Sequence, residues 1–174
     1  MNSVYLDRGA YELRNPGFEA GTAGWNTSYS GAGVTLASAE GGHTGSGAAV
    51  VANTGSAKAT CNLNDAPNWI LLERAGTYTA SLWVRADTPG ATLKLRLREW
   101  TGDLAPSYPK TFVGQAKAAV TLTTDWQRVK VEYTARAPAA WSTGILSTLD
   151  FNAYVTGAPP GTCFYADDAA IALR

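Results

Sequence analysis

The sequence predicts an all-β protein, an antiparallel β-sandwich with two sheets of about four to five strands each. Two observations predict it. Apolar and polar residues alternate with a period of two in several separate stretches, and turn signals rich in Gly, Pro and Asp divide them. Successive side chains of a strand point to opposite faces, so each such run offers one apolar face to a core and one to water. Two sheets of that kind hide their apolar faces by packing together.

The first stretch, "LRNPGFEAGTAGW" (13–25), starts like a strand, turns at Asn-Pro-Gly, sets Glu19 after Phe18, and runs through a glycine-rich loop to Trp25. "PNWILLE" (67–73) is the one helix candidate, a turn or two long. In "GTYTASLWVRAD" (76–87), Tyr78, Ala80, Leu82 and Val84 point one way, and Thr79, Ser81, Trp83 and Arg85 the other. In "ATLKLRLREW" (91–100), Leu93, Leu95 and Leu97 alternate with Lys94, Arg96 and Arg98. Val129, Val131 and Tyr133 alternate in the same way with Arg128, Lys130 and Glu132. Leu149, Phe151 and Ala153 alternate with Asp150, Asn152 and Tyr154, and "CFYADDAAIAL" (163–173) reads as a last strand that puts Asp167 on the face of Ala169 and Ile171. Turns are expected at Thr88-Pro89-Gly90, Thr101-Gly102-Asp103 and Gly157 to Gly161. With no repeat and no low-complexity linker, residues 1–174 read as a single domain.

Formal net charge is zero, so no overall field favours nucleic acid or a membrane surface, and no apolar run approaches the roughly 18 residues that span a bilayer. The first residues lack the basic and apolar regions of a signal peptide, which leaves a cytoplasmic protein or a module of a secreted parent. Cys61 and Cys163 are too few for a disulfide scaffold and too far apart for a zinc motif. Their strand-like settings leave one bridge and two buried thiols both open. Asn26-Thr27-Ser28 forms a glycosylation sequon.

The order "NPGFEAGTAGW", "GGHTGSGAAVV", "AGTYTASLWVRAD", "TTDWQRVKVEYTA", "CFYADDAAIAL" resembles carbohydrate-binding modules of the family 4/9 type, with relatives in families 16 and 22, and galactose-binding-domain-like sandwiches. The resemblance implies a jelly roll that binds polysaccharide or oligosaccharide on a concave sheet or at loop tips without catalysis. It also implies a structural Ca2+ and attachment to a carbohydrate-active enzyme or larger surface protein, hence a secreted or extracellular setting. Carried onto this chain, the metal ligands fall on the Gly17 and His43 carbonyls, Glu19, Glu40, Asp167 and, as second choice of the closing pair, Asp168. Such a set suits calcium, which takes six to eight oxygens.

On the polar strand faces, Trp83, Arg85, Arg96, Arg98, Trp100, Asp150, Asn152 and Tyr154 are the candidate ligand-binding residues. An aromatic ring covers the C–H face of a pyranose while Arg, Asp and Asn take its hydroxyls. The stripe Arg85, Lys94, Arg96 and Arg98 makes a uronic or sulfated glycan a candidate, unless Asp150 or Glu132 neutralises it. A glycosidase needs two facing carboxylates, whereas the acids here gather at turns, and Asp167 and Asp168 are expected on opposite faces. The rival from another class is a structural or adhesion sandwich, of a phage tail or surface protein, that contacts protein.

Overall fold

The computed structural model describes residues 13–65, 70–72, 75–103, 111–136 and 145–174. Among them every regular element is a strand: β1 Trp25–Asn26, β2 Val34–Glu40, β3 Gly47–Asn53, β4 Ala59–Asp65, β5 Ile70–Leu71, β6 Gly76–Arg85, β7 Thr92–Asp103, β8 Thr111–Thr121, β9 Gln127–Ala135, β10 Ile145–Ala158 and β11 Gly161–Leu173. They form two antiparallel sheets. Sheet A has the order β1-β4-β10-β7-β8, with short β5 also paired to β10, and sheet B the order β2-β3-β11-β6-β9.

The alternation seen in sequence decides what is buried. Leu93, Leu95 and Leu97 of β7 and Leu149, Phe151 and Ala153 of β10 face inward from sheet A. Tyr78, Ala80, Leu82 and Val84 of β6 and Phe164 and Ala166 of β11 meet them from sheet B. Phe18 and Trp25 extend this core, their ring centroids 5.0 Å apart, and Trp25 meets Phe151 edge-on at 5.7 Å. Truncating a central leucine such as Leu95 to Ala would cost about 2–5 kcal/mol, the lost transfer energy plus a cavity. A disulfide joins Cys61 of β4 to Cys163 of β11 and so ties sheet A to sheet B.

Several expectations are corrected. Thr101, Gly102 and Asp103 continue β7, paired with Thr111 on one side and Ser147, Leu146 and Ile145 on the other, instead of turning. Of the helix candidate, residues 67–69 and 73 lie outside the described residues, and Ile70–Leu71 is a strand held by Thr148 and Leu149 of β10. The β6 and β7 runs, neighbours in sequence, fall in different sheets, so Trp83 and Arg85 do not share a face with Lys94, Arg96 and Arg98. A bulge between Asp167 and Ala170 breaks the period of β11. Asp167 pairs with Trp83 on the outer side of sheet B, and Asp168 takes a φ of 44° that brings both carboxylates to one loop.

Candidate functional site

The outer face of sheet A carries a polar network in two adjoining sets, one around Asp150 and one around Asn152. The antiparallel register sets Asp150 opposite Arg98, and Asn152 opposite Arg96 on one side and Asn64 on the other. Tyr154 sits between Lys94 and Asn62. Residues directly opposite share a face, so their side chains meet. Both oxygens of Asp150 are used: Arg98 Nε donates to Oδ1 at 2.8 Å, and Arg98 and Trp100 Nε1 donate to Oδ2 at 2.8 and 3.0 Å. Arg96 donates to Asn152 Oδ1 at 2.8 Å, and Asn152 Nδ2 donates to Asn64 Oδ1 at 2.8 Å and Asn62 Oδ1 at 3.1 Å.

The rings lie among these groups. The Arg96 guanidinium sits 4.9 Å from the Tyr154 ring centre and that of Arg98 5.4 Å from Trp100. Burial, and then the neighbouring Arg98 charge, hold the Arg96 pKa below its ordinary value. Lys117 of β8 stands opposite Arg96 and adds a further cation. Among the described residues, the strip therefore sets Lys94, Arg96, Arg98 and Lys117 against the single carboxylate of Asp150. Glu132 lies in sheet B, paired with Arg174.

Two aromatics stand at the margins. Tyr29 is 83% exposed in the turn between β1 and β2, and Phe112, also exposed, meets Trp100 edge-on at 5.4 Å. The Tyr29 turn is fastened to sheet A. Its carbonyl accepts from Asn62 Nδ2 at 2.8 Å, the Ser28 carbonyl from Asn64 Nδ2 at 2.9 Å, and Ser30 Oγ from Asn62 N at 2.9 Å. Sequence reasoning missed Asn62, Asn64 and Lys117, which the same period-two reading of β4 and β8 finds. Tyr29 lies in a turn and follows no period. Asn26, the sequon asparagine, spends its Oδ1 on Ser28 N and Asn64 Nδ2.

The candidate metal ligands converge differently. The 41–47 loop is gripped by carboxylates from both ends of the fold. Asp167, fully buried, accepts from the His43 and Thr44 amides at 2.7 and 3.2 Å and from the Asp168 amide at 2.7 Å. Asp168 accepts from Thr44 Oγ1 at 2.7 Å and bonds His43 Nδ1 at 2.7 Å. Glu19 accepts from the Gly47 and Ser46 amides at 2.9 and 3.1 Å. Those donors, the Gly47 amide first, lower the Glu19 pKa, while burial raises that of Asp167. Gly45 has a φ of 64°, and a Cβ there would collide with the Glu19 carboxylate, so the grip needs glycine.

The Pro16 carbonyl accepts from the Ala169 amide at 2.9 Å, which joins the start of the fold to the last strand, and Gly17 faces Asp168. Glu40 ends β2 opposite Gly47 and is exposed. Among the described residues no three His, Cys, Asp or Glu side chains form a group that could hold a metal ion. A cation here would therefore draw on backbone carbonyls as well. The donor type fits a hard ion: Glu19, Asp167 and Asp168 are oxygen donors, and among the described residues no Lys or Arg pairs with any of them.

Trp83 and Arg85 lie on the outer side of sheet B. The His43 ring stacks on Trp83 at 3.6 Å, and Arg85 lies 3.9 Å over Tyr165 and 5.3 Å from the Trp126 ring centre. The imidazole thus has a place of its own, as a lid on Trp83 and partner of Asp168, besides the carbonyl singled out in sequence.

The model for the carbohydrate binding domain of the CBM_4_9 type matches residues 11–148. No curated protein matches the chain. Among solved structures, a Tm carbohydrate-binding module of family 61 in complex with β-1,4-galactotriose is similar at a TM-score of 0.58 and 18% identity, covering 94% of this chain and 99% of that one. The family 22 xylan-binding domain CBM22-2 of Paenibacillus barcinonensis Xyn10C is similar at 0.57 and 19%, covering 91% and 98%. The enzymatically active domain of bacteriophage CBA120 tailspike protein 4 shares the fold at 0.64 and 12%, covering 95% of this chain but 22% of that one. These likenesses show the sandwich, and the family match over most of the chain shows more: this protein belongs to the CBM_4_9 carbohydrate binding domain family.

Proposed function

We propose that the chain binds a polysaccharide along the outer face of sheet A and does not cleave it. The observation that carries this is the Asn64–Asn152–Arg96 and Asp150–Arg98–Trp100 network, in which rings and hydrogen-bonding groups are held in fixed positions. Asp150 and Asn152 are buried and hold the Arg96, Arg98 and Trp100 groups, which therefore lose little side-chain freedom on binding, and the Tyr154 and Trp100 rings offer planar surfaces to a sugar. Solved relatives by fold hold galactotriose or are named for xylan, which supports the ligand class.

The cation excess on this face favours an acidic glycan, because Arg pairs with carboxylate or sulfate in two parallel hydrogen bonds. The Cys61–Cys163 bridge supports an oxidising, extracellular setting within a larger carbohydrate-active protein. Glu19, Asp167, Asp168 and the neighbouring Gly17 and His43 carbonyls would hold a Ca2+ whose part is to fasten the 41–47 loop to both ends of the fold.

Binding to polygalacturonate, sulfated galactan, xylan and β-glucan at 20 to 500 mM NaCl (roughly 20 to 4 Å of screening length) tests the reading. Tighter binding to the acidic polymers that weakens with salt is expected. Salt-independent binding to xylan or β-glucan alone would remove the acidic preference, and binding to none of the four would remove the polysaccharide reading. The tailspike likeness favours no protein-contact role, since it rests on the fold alone.

A further inference from the structure

At the disulfide end of the sandwich, just beyond the Lys94 and Tyr154 end of the sheet A network, lies a cavity of about 620 Å³. Its walls are the β6–β7 connection and the β10–β11 hairpin, with Thr88, Thr92, Thr156 and Thr162 contributing hydroxyls and Pro160 an apolar ring face. Among the described residues of the lining Asp87 alone is charged, and its side chain is 54% exposed. We propose that this cavity is a second saccharide site, which takes the end of a neutral chain. The proposal goes beyond the sheet A reading and does not depend on it.

The volume falls within the roughly 300–1,000 Å³ of small-molecule sites. The chemistry of the lining matches a polyhydroxylated ligand: one strong acceptor, several hydroxyls, and small apolar groups for C–H faces. The acceptor is held in place. Tyr165 Oη donates to Asp87 Oδ2 at 3.2 Å and Arg85 lies 3.7 Å from Oδ1, while Arg85 itself is stacked on Tyr165. The outer-face ring cluster thereby acquires a role, because Arg85 and Tyr165 position a carboxylate at the cavity rim.

The walls are also fixed. Gly90 N and Leu122 O, Leu122 N and Ala91 O, and Ala86 N and Thr123 O are hydrogen-bonded, and Cys163 in the lining is bridged to the other sheet. Rigid walls lower the ordering cost of binding. Among the described residues the lining holds no cation to pair with an acidic sugar, and nearby Arg85 is spent on Asp87, so the ligand is neutral.

Amide NMR shifts of the full chain, titrated with cellobiose, lactose and xylobiose and with digalacturonate, test this. At roughly 20 mM ligand, above the millimolar Kd of a weak site, saturable shifts at 87–92 and 156–162 are expected with at least one neutral disaccharide and not with digalacturonate. Asp87→Ala, an exposed substitution, should raise that Kd about tenfold, the worth of one charged hydrogen bond. Tyr165→Phe should raise it less, and Trp100→Ala at the far end of the sheet A network should leave it unchanged. Absence of saturable shifts at 87–92 and 156–162, shifts that Asp87→Ala leaves intact, or shifts that Trp100→Ala abolishes would overturn the proposal. If these shifts persist while sheet A binds nothing, the cavity site stands and the sheet A reading falls.

Discussion

Tyr133 of sheet B donates a 2.7 Å hydrogen bond across the core to Glu99 Oε2 of sheet A, an otherwise apolar position on β7. The Arg136 amide gives the same oxygen a second bond at 3.1 Å. Removing the hydroxyl in Tyr133→Phe leaves the buried carboxylate short of a donor, at a cost of about 1–3 kcal/mol. Burial, and then the Glu99 bond and charge, hold the Tyr133 pKa above its ordinary 10.0. A group raised in the folded state stabilises below its unfolded pKa and loses that contribution as pH climbs past it. Wild type should therefore lose stability above pH 10, and Tyr133→Phe should lose less, as read from urea midpoints at pH 7 and 10.5 (roughly half a unit past the unfolded value).

At the other end the bridge between Cys61 and Cys163 closes 102 residues of sequence. Loop closure of that length removes unfolded-state entropy worth about 4–5 kcal/mol. Thermal unfolding of the Cys61→Ala/Cys163→Ala double variant should show a fall of about 8–20 °C, since about 1 kcal/mol shifts Tm by 2–4 °C at this size. A Tm equal to wild type would show that the bridge contributes nothing.

The proposed Ca2+ makes a separate prediction. A ligand that binds only the folded state raises Tm with concentration. Adding EDTA should lower the Tm, and excess Ca2+ should restore it. Glu19→Gln should abolish the calcium dependence. An identical Tm with chelator and with millimolar Ca2+ would remove the ion from the account.

Strand faces were legible because burial follows a period of two: Leu93, Leu95 and Leu97 went inward as their spacing required. Which strands became neighbours was not, because the β6–β7 turn at Thr88-Pro89-Gly90 looks like a hairpin yet carries the chain from one sheet to the other. That is why one stripe of four cations became two groups. The bulge at Asp167 was equally hidden, since local alternation says nothing of where a ladder slips. Asp150, Asn152, Arg96, Arg98, Trp100 and Tyr154 do share one face, as their alternation implied, whereas Tyr29 reaches it through a turn.

The proposed glycan face is that of sheet A, and not the outer side of sheet B. Calorimetric titration of wild type, Trp100→Ala and Trp83→Ala with the preferred oligosaccharide tests it most directly. Loss of an aromatic anchor costs about 2 kcal/mol, close to 30-fold in Kd. That loss is expected for Trp100→Ala and a change within about twofold for Trp83→Ala, which lies on the outer side of sheet B. Wild-type affinity in Trp100→Ala with a large loss in Trp83→Ala would contradict it.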